Sequence, residues 1–174
     1  MKEVLIILLV SFVTFHQVLF NEFTFDDLPA IVNNDLDFKA IFTSKDFWGD
    51  NLRSKKSHKS YRPLTSLAFI LLQKKSSSIH LFNLIIHTIN SILVFCICNK
   101  EVFKFNKNMS FITALIFNLH PVHVEPVASA VGSADLLYSF IILLALNRDW
   151  NNPLLASICL LFKEQTYVTV SFKY

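Results

Sequence analysis

The segment from His120 to Asp135 holds the side chains best suited to chemistry in this sequence. Two imidazoles and a carboxylate, those of His120, His123 and Glu125, fall within six residues, and two prolines disrupt regular helix around them. Such a set can hold a divalent metal ion. It can equally face water in an interfacial turn, or line a polar pocket that binds the phosphate or sugar of a substrate. We favour the polar pocket.

A pair of adjacent acids, Asp26-Asp27, follows the first apolar stretch of the chain. Two neighbouring carboxylates near the low-dielectric edge of a membrane can keep one pKa raised, which suits a general base that takes a proton from a hydroxyl. The alternative is a helix N-cap, since Asp caps helices well and Pro29 can occupy the first turn that follows. The pair therefore predicts either a base with an orienting neighbour or a cap.

Three further charged residues are candidates for contact with an anionic substrate. Asp135 lies near the start of an apolar segment, where an unpaired carboxylate is costly. Arg62 can hold a phosphate through its bidentate fork, whereas Lys163 can neutralise one as a point charge. The alternative for both cations is that they reach towards lipid headgroups.

The elements that must position these groups are apolar blocks of membrane-spanning character. The chain has 174 residues, of which 53% are hydrophobic and 17% charged, and its mean hydropathy is +0.46. We predict an all-α integral membrane protein with about five spans. They are Val4–Phe20, Ile79–Cys98, a third from Phe111 to Leu119, a fourth from near Val127 to Leu146 and a fifth from Leu154. Most basic residues lie in the single loop 21–75 alongside acids and do not line one recognition face, so no nucleic-acid partner is expected.

The first span and the loop after it carry two further predictions. No small-residue cleavage site follows Phe20, so the first span is expected to be an uncleaved signal anchor. Apolar residues recur at helical spacing through the long polar stretch 21–75, which predicts amphipathic helices lying on the membrane or on the helix bundle. Those apolar residues are Phe38, Ile41, Phe42, Phe47, Trp48 and Leu52. After them, Pro63–Leu72 is expected to form a short apolar helix that begins with proline.

The second span has a polar face, because Asn83, His87 and Asn90 are three and four residues apart. Such a face is expected to point into a helix bundle. The same face also allows a different class of function, a small transporter or channel component. Orientation is left open by charge, because the loop 21–75 holds more basic residues than the links on the opposite side.

Six motifs in one order give the chain a resemblance to a known family. It resembles the transmembrane, tetratricopeptide-repeat-containing O-mannosyltransferases that target cadherins, over nearly its whole length. The motifs are Phe25-Asp26-Asp27, Asp46-Phe47-Trp48-Gly49, Ser57-His-Lys-Ser-Tyr-Arg-Pro-Leu64, His120-Pro-Val-His-Val-Glu125, Gly132-Ser-Ala-Asp135 and Lys163-Glu-Gln165.

The resemblance implies a GT-C-type helical bundle, a multi-pass glycosyltransferase of the endoplasmic reticulum membrane. Such an enzyme transfers mannose from dolichyl-phosphate mannose to Ser or Thr of a protein acceptor, here cadherin-like. Residues 1–174 would be the amino-terminal portion of that domain, with the first loop and the His120–Glu125 link in the lumen. Family members have further spans and then tetratricopeptide repeats, which this sequence lacks, so we expect an incomplete chain.

The resemblance also implies roles for individual residues. Asp26 matches the first acid of the family motif and is the expected catalytic base, with Asp27 beside it. The expected substrate-binding residues are Arg62, His120, His123, Glu125, Asp135 and Lys163. No resident cofactor follows from the resemblance, and a divalent metal remains an alternative. Ser133 stands where the family commonly has a basic residue, which favours a second hypothesis, a catalytically inert membrane adaptor that retains the scaffold.

Overall fold

The secondary structure is helical throughout the parts of the chain that the computed structural model describes. These are residues 1–35, 37–100, 106–147, 158 and 160–163. Within these ranges the helices are joined by turns, and the only extended pairing is an isolated bridge between Lys45 and Asn51. The all-α prediction is therefore confirmed for the described residues. Most of the predicted fifth span lies outside them.

Two helices are long and apolar enough to cross a membrane by themselves. Helix α1 (Lys2–Phe15) continues as a 3-10 turn to Phe20, giving 19 residues, and α4 (Ser76–Cys98) has 23. The length of α4 is about 34 Å, slightly more than the roughly 30 Å of bilayer hydrocarbon. Both helices coincide with predicted spans.

The packing of α1 on α4 fixes which ends lie together. Ile7 shares a buried cluster with Phe95, whereas Phe15 near the other end of α1 shares one with Leu84. The two helices therefore run antiparallel, and both ends of the loop 21–75 lie on the same side of the bundle. We call this the loop side.

Helix α5 (Lys107–Leu119) turns the chain back towards the loop side, although its 13 residues are too few to cross a bilayer alone. It runs parallel to α1, since Ala114 shares a buried cluster with Ile7 and Asn118 exchanges hydrogen bonds with Ser11 at 2.8 and 3.0 Å. The Asn118 carbonyl lies 3.1 Å from a ring nitrogen of His87, the middle residue of α4. The link after Leu119 therefore starts at the depth of the middle of α4 and continues towards the loop side.

The predicted fourth span is not one continuous helix from Val127. A 3-10 turn (Pro121–His123) leads into α6 (Val124–Ala128), and α7 (Ser133–Asn147) then leaves at an angle of 117°. The reason lies at Gly132, where a Cβ atom would come within 2.3 Å of the Pro126 carbonyl oxygen. The chain folds back on itself there, and together the two helices meet the requirement for a broken span or re-entrant loop.

The loop 21–75 is less helical than its apolar spacing predicts. It contains a π-helical turn (Leu28–Val32), α2 (Phe38–Thr43) and α3 (Pro63–Leu71). Between α2 and α3 the Asp46 carboxylate accepts hydrogen bonds from the backbone N–H groups of Trp48 and Asp50 and from the Ser57 hydroxyl. These side-chain bonds replace helical ones, which explains why the predicted amphipathic helix ends at Thr43. The proline-led helix α3 is confirmed.

The polar face of α4 points inward, as its spacing predicts. Asn83, His87 and Asn90 are at most 1% exposed. The Asn90 amide donates to the Leu136 carbonyl at 3.1 Å, and a ring nitrogen of His87 lies 3.1 Å from the Asn118 carbonyl. Polar side chains that bond across helices hold a bundle together where no water is available.

Candidate functional site

The acidic pair is split between the interior and the surface. Asp27 is 1% exposed, whereas Asp26 is exposed. One Asp27 carboxylate oxygen accepts hydrogen bonds from the Val131 N–H at 2.9 Å and the Ser129 hydroxyl at 3.1 Å. The other accepts from the Thr24 N–H at 3.3 Å. These donors compensate the burial of the carboxylate, and Asp27 thereby joins the first loop to the turn before α7.

A tight turn presents Asp26 to the surface. The Asp27 N–H donates to the Thr24 carbonyl at 2.9 Å, which closes the turn. Phe25, inside it, has a φ of +45°, a region that residues other than glycine seldom adopt, and its side chain is 90% exposed. Asp27 makes no capping hydrogen bond to the helical turn that follows. The helix-cap interpretation therefore does not describe its carboxylate.

Helix α4 also holds the turn before α7, through hydrogen bonds of Asn83. The Asn83 amide donates to the Ser129 carbonyl at 2.8 Å, and the Ser133 hydroxyl donates to the Asn83 side-chain oxygen at 2.6 Å. Ser133 is fully buried. Residues 129–133, which we call the hinge turn, are thus fastened by Asp27 on one side and by Asn83 on the other. Sequence reasoning placed Asn83 on the inward face but did not identify its partners.

Asp135 and Lys163 form an ion pair just after the hinge turn. The Lys163 ammonium donates to an Asp135 carboxylate oxygen, with side-chain exposures of 13% for the lysine and 41% for the aspartate. The Thr65 hydroxyl donates to the Phe162 carbonyl at 2.9 Å, so the residue before Lys163 lies against the first turn of α3. The structure therefore brings together two of the predicted substrate-binding residues.

Arg62 immediately precedes α3 and lies close to the same region. Its guanidinium carbon is 4.8 Å from the centre of the Phe47 ring, a cation–π contact with a fully buried aromatic side chain. Because α3 is bonded to the segment before Lys163, Arg62 is held on the same part of the surface. The contact with Phe47 fixes the orientation of the guanidinium.

The three residues of the 120–125 link occupy different environments. His120 accepts a hydrogen bond from the Val122 N–H at 3.2 Å and is exposed, as is Glu125. His123 is half-buried, with its ring centre 4.4 Å from that of Phe117 and 5.1 Å from that of His87. Since His87 is the middle residue of α4, His123 lies at the depth of the middle of that candidate span.

The imidazoles and the carboxylate of the link do not converge as metal ligands do. Among the described residues, no group of three or more His, Cys, Asp or Glu side chains is arranged to hold a metal ion. The metal alternative thus gains no support from this part of the chain. The contacts that the structure does show join the turn that carries Asp26 to the hinge turn through Asp27, and Asp135 to Lys163.

The chain is similar in sequence to several proteins named protein O-mannosyl-transferases. Mouse TMTC1 is 44% identical over 135 residues, covering 71% of this chain. Human TMTC3 is 40% identical over 154 residues, covering 83%. The Caenorhabditis elegans protein F38B6.6 is 37% identical over 187 aligned positions, covering 97%.

The matches fall in the amino-terminal part of these relatives. The chain spans 14% of the length of mouse TMTC1, 16% of human TMTC3 and 27% of the Caenorhabditis elegans protein. No protein-family model matches the chain, and no solved structure matches it.

Proposed function

Since the chain belongs to the TMTC family of protein O-mannosyl-transferases, corresponding to the amino-terminal part of its members, we propose that it forms part of a membrane site for protein O-mannosylation. In this proposal the donor is dolichyl-phosphate mannose and the acceptor is a Ser or Thr hydroxyl of a cadherin-like protein. The chain contributes helices to a GT-C-type bundle in the endoplasmic reticulum membrane. Its loop side faces the lumen.

The observation that carries the proposal is the different burial of the two neighbouring carboxylates. The Asp27 carboxylate is buried and hydrogen-bonded to three donors, whereas the Asp26 carboxylate is exposed beside it on a turn that Asp27 fixes. A general base has to reach the proton that it takes, and only Asp26 is placed to do so. Asp26 is therefore the proposed base, and Asp27 the residue that positions it.

The reaction proposed at Asp26 is a single displacement. The carboxylate of Asp26 takes the proton of the acceptor hydroxyl while the hydroxyl oxygen attacks C1 of mannose. The bond between C1 and the phosphate oxygen breaks, and dolichyl phosphate leaves with the electron pair. Attack from the face opposite the leaving group inverts the configuration at C1.

Cations near the leaving phosphate would stabilise the charge that develops on it. Lys163 is held in place by Asp135, and Arg62 by its contact with Phe47. We assign the phosphate to these two cations, with Asp135 as the residue that positions Lys163. His120 and Glu125 are exposed in the link and are assigned to the sugar hydroxyls, and His123 packs the link against Phe117 and His87.

The test is the substitution Asp26→Asn, made in a full-length family protein that carries this chain. Transfer of radiolabelled mannose from dolichyl-phosphate mannose to a protein acceptor is measured in microsomes. Loss of a general base is expected to lower transfer by at least about 10²-fold at unchanged expression. Asp35→Asn is the matched control, because Asp35 is an exposed acid of the same loop.

Two results would count against the proposal. Retained transfer in Asp26→Asn would remove Asp26 as the base. Failure of the unaltered protein to bind a dolichyl-phosphate sugar would favour the adaptor hypothesis instead, since an adaptor needs the scaffold but no donor.

A further inference from the structure

The loop between α2 and α3 carries an excess of positive charge. Residues 44–62 contain six Lys or Arg and two Asp, and one of those acids, Asp46, is 3% exposed. The charge is densest in residues 53–59, which we call the basic loop. Its exposed basic side chains are Arg53, Lys55, Lys56, His58 and Lys59.

The basic loop has a fixed shape. Asp46 accepts a hydrogen bond from the Ser57 hydroxyl at 2.6 Å, and the Phe47 N–H donates to the Ser60 carbonyl at 2.7 Å. The Lys59 ammonium donates to the Ser54 carbonyl at 2.7 Å. A loop held by these bonds loses little conformational entropy when it binds a partner.

Two exposed aromatic side chains lie next to the basic loop. Phe38 and Phe42 of α2 are 62% and 37% exposed, and their ring centres are 5.6 Å apart. The Tyr61 hydroxyl, just after the basic loop, donates to the Phe42 carbonyl at 2.9 Å. This bond holds α2 beside the chain that leaves the basic loop, and we call the two rings together with the basic loop the aromatic–basic face.

The packing of Phe47 gives the depth of this face relative to the membrane. Phe47 is fully buried in a cluster with Phe69 of α3 and Ile79 of α4. Ile79 lies in the first turn of α4, the end of a candidate span. The body of the loop therefore lies at the level where hydrocarbon gives way to lipid headgroups. Exposed aromatic rings and lysines are characteristic of that level.

We propose that the aromatic–basic face docks on the headgroup layer of the membrane that α1 and α4 cross, with anionic phospholipid as its ligand. Phe38 and Phe42 lie at the boundary between headgroups and acyl chains, and Lys55 and Lys56 contact lipid phosphates. A lipid surface is favoured over an acidic protein partner because of the depth of the face and because α1 and α4 keep it beside the bilayer. The inference does not depend on the proposed transferase activity.

The experiment uses a tryptophan reporter on the aromatic–basic face. The two native tryptophans are removed by Trp48→Phe and Trp150→Phe, and Phe38→Trp is introduced into the full chain in lipid nanodiscs. Brominated acyl chains are expected to quench the reporter, and quenching should rise as phosphatidylserine is added to phosphatidylcholine. Lys56→Glu is expected to lower the quenching by roughly twofold or more in the anionic discs.

Lys2→Glu is the matched control, because Lys2 is an exposed lysine at the other end of α1. It is expected to leave quenching unchanged. If Phe38→Trp prevents folding, Phe42→Trp serves as the second reporter. Quenching by aqueous iodide but not by brominated lipid would overturn the proposal. The proposal would also be overturned if added polyglutamate protected the reporter from iodide and Lys56→Glu abolished this protection. The partner would then be an acidic protein segment.

Discussion

The carboxylate of Asp27 and the backbone amide of Val131 are joined by a 2.9 Å hydrogen bond across 104 positions of the chain. This bond connects the turn that presents Asp26 to the hinge turn from which α7 starts. Asp26 and the residues after the hinge turn, including Asp135, are therefore connected through this bond.

Removal of the Asp27 carboxylate is expected to destabilise the folded chain. Asp27→Ala leaves the partly buried Val131 N–H and Ser129 hydroxyl without their acceptor, and such a loss costs about 1–3 kcal/mol. The free energy of unfolding in detergent is the measurement. Asp26→Ala is the control, because it removes an exposed carboxylate and should change stability by no more than about 0.5 kcal/mol. Equal effects of the two substitutions would contradict the division of roles.

A side chain at position 132 is expected to be poorly tolerated. In Gly132→Ala the new Cβ atom would lie 2.3 Å from the Pro126 carbonyl oxygen, which is backbone and cannot rotate away. The strain should cost about 1–3 kcal/mol, as overpacking commonly does. Thermal unfolding measures the effect against Ser77→Ala, an exposed substitution in α4. An unchanged melting temperature would show that the hinge turn is looser than its contacts indicate.

The ion pair between Asp135 and Lys163 is expected to contribute more to activity than to stability. The Asp135 side chain is 41% exposed, so solvent screens the pair, and a coupling energy of about 0.2–1 kcal/mol is expected. A double-mutant cycle with Asp135→Asn and Lys163→Met measures this coupling. In a full-length transferase, Asp135→Asn should lower mannose transfer well beyond that small loss of stability. A proportionate loss of both would assign the pair a structural role.

Local periodicity predicted the elements whose own residues decide their structure. The inward face of α4 follows from the spacing of Asn83, His87 and Asn90, because a helix fixes the direction of every side chain once its axis is placed. Pro63 likewise predicted the start of α3, because the fixed φ of proline suits the first turn of a helix. Both predictions concern interactions within one turn or one helix.

Predictions from periodicity failed where a side chain binds backbone groups, or where its partner is far away in the sequence. The apolar spacing through Leu52 predicted a longer amphipathic helix, but the Asp46 carboxylate binds backbone N–H groups that a helix would use. The contact of Asp27 with the hinge turn spans more than one hundred positions, and a single sequence carries no signal of such a pairing. Gly132 allows the chain to pass against Pro126, a contact that the sequence around it does not predict.

The backbone at Phe25 has a consequence for engineering this chain. A left-handed φ at a phenylalanine is unfavourable, and glycine would adopt it without steric strain. A stabilising redesign would therefore select Phe25→Gly, and in doing so would delete the large aromatic surface next to Asp26. Variants chosen only for heat resistance are thus expected to lose this exposed ring while they keep the fold.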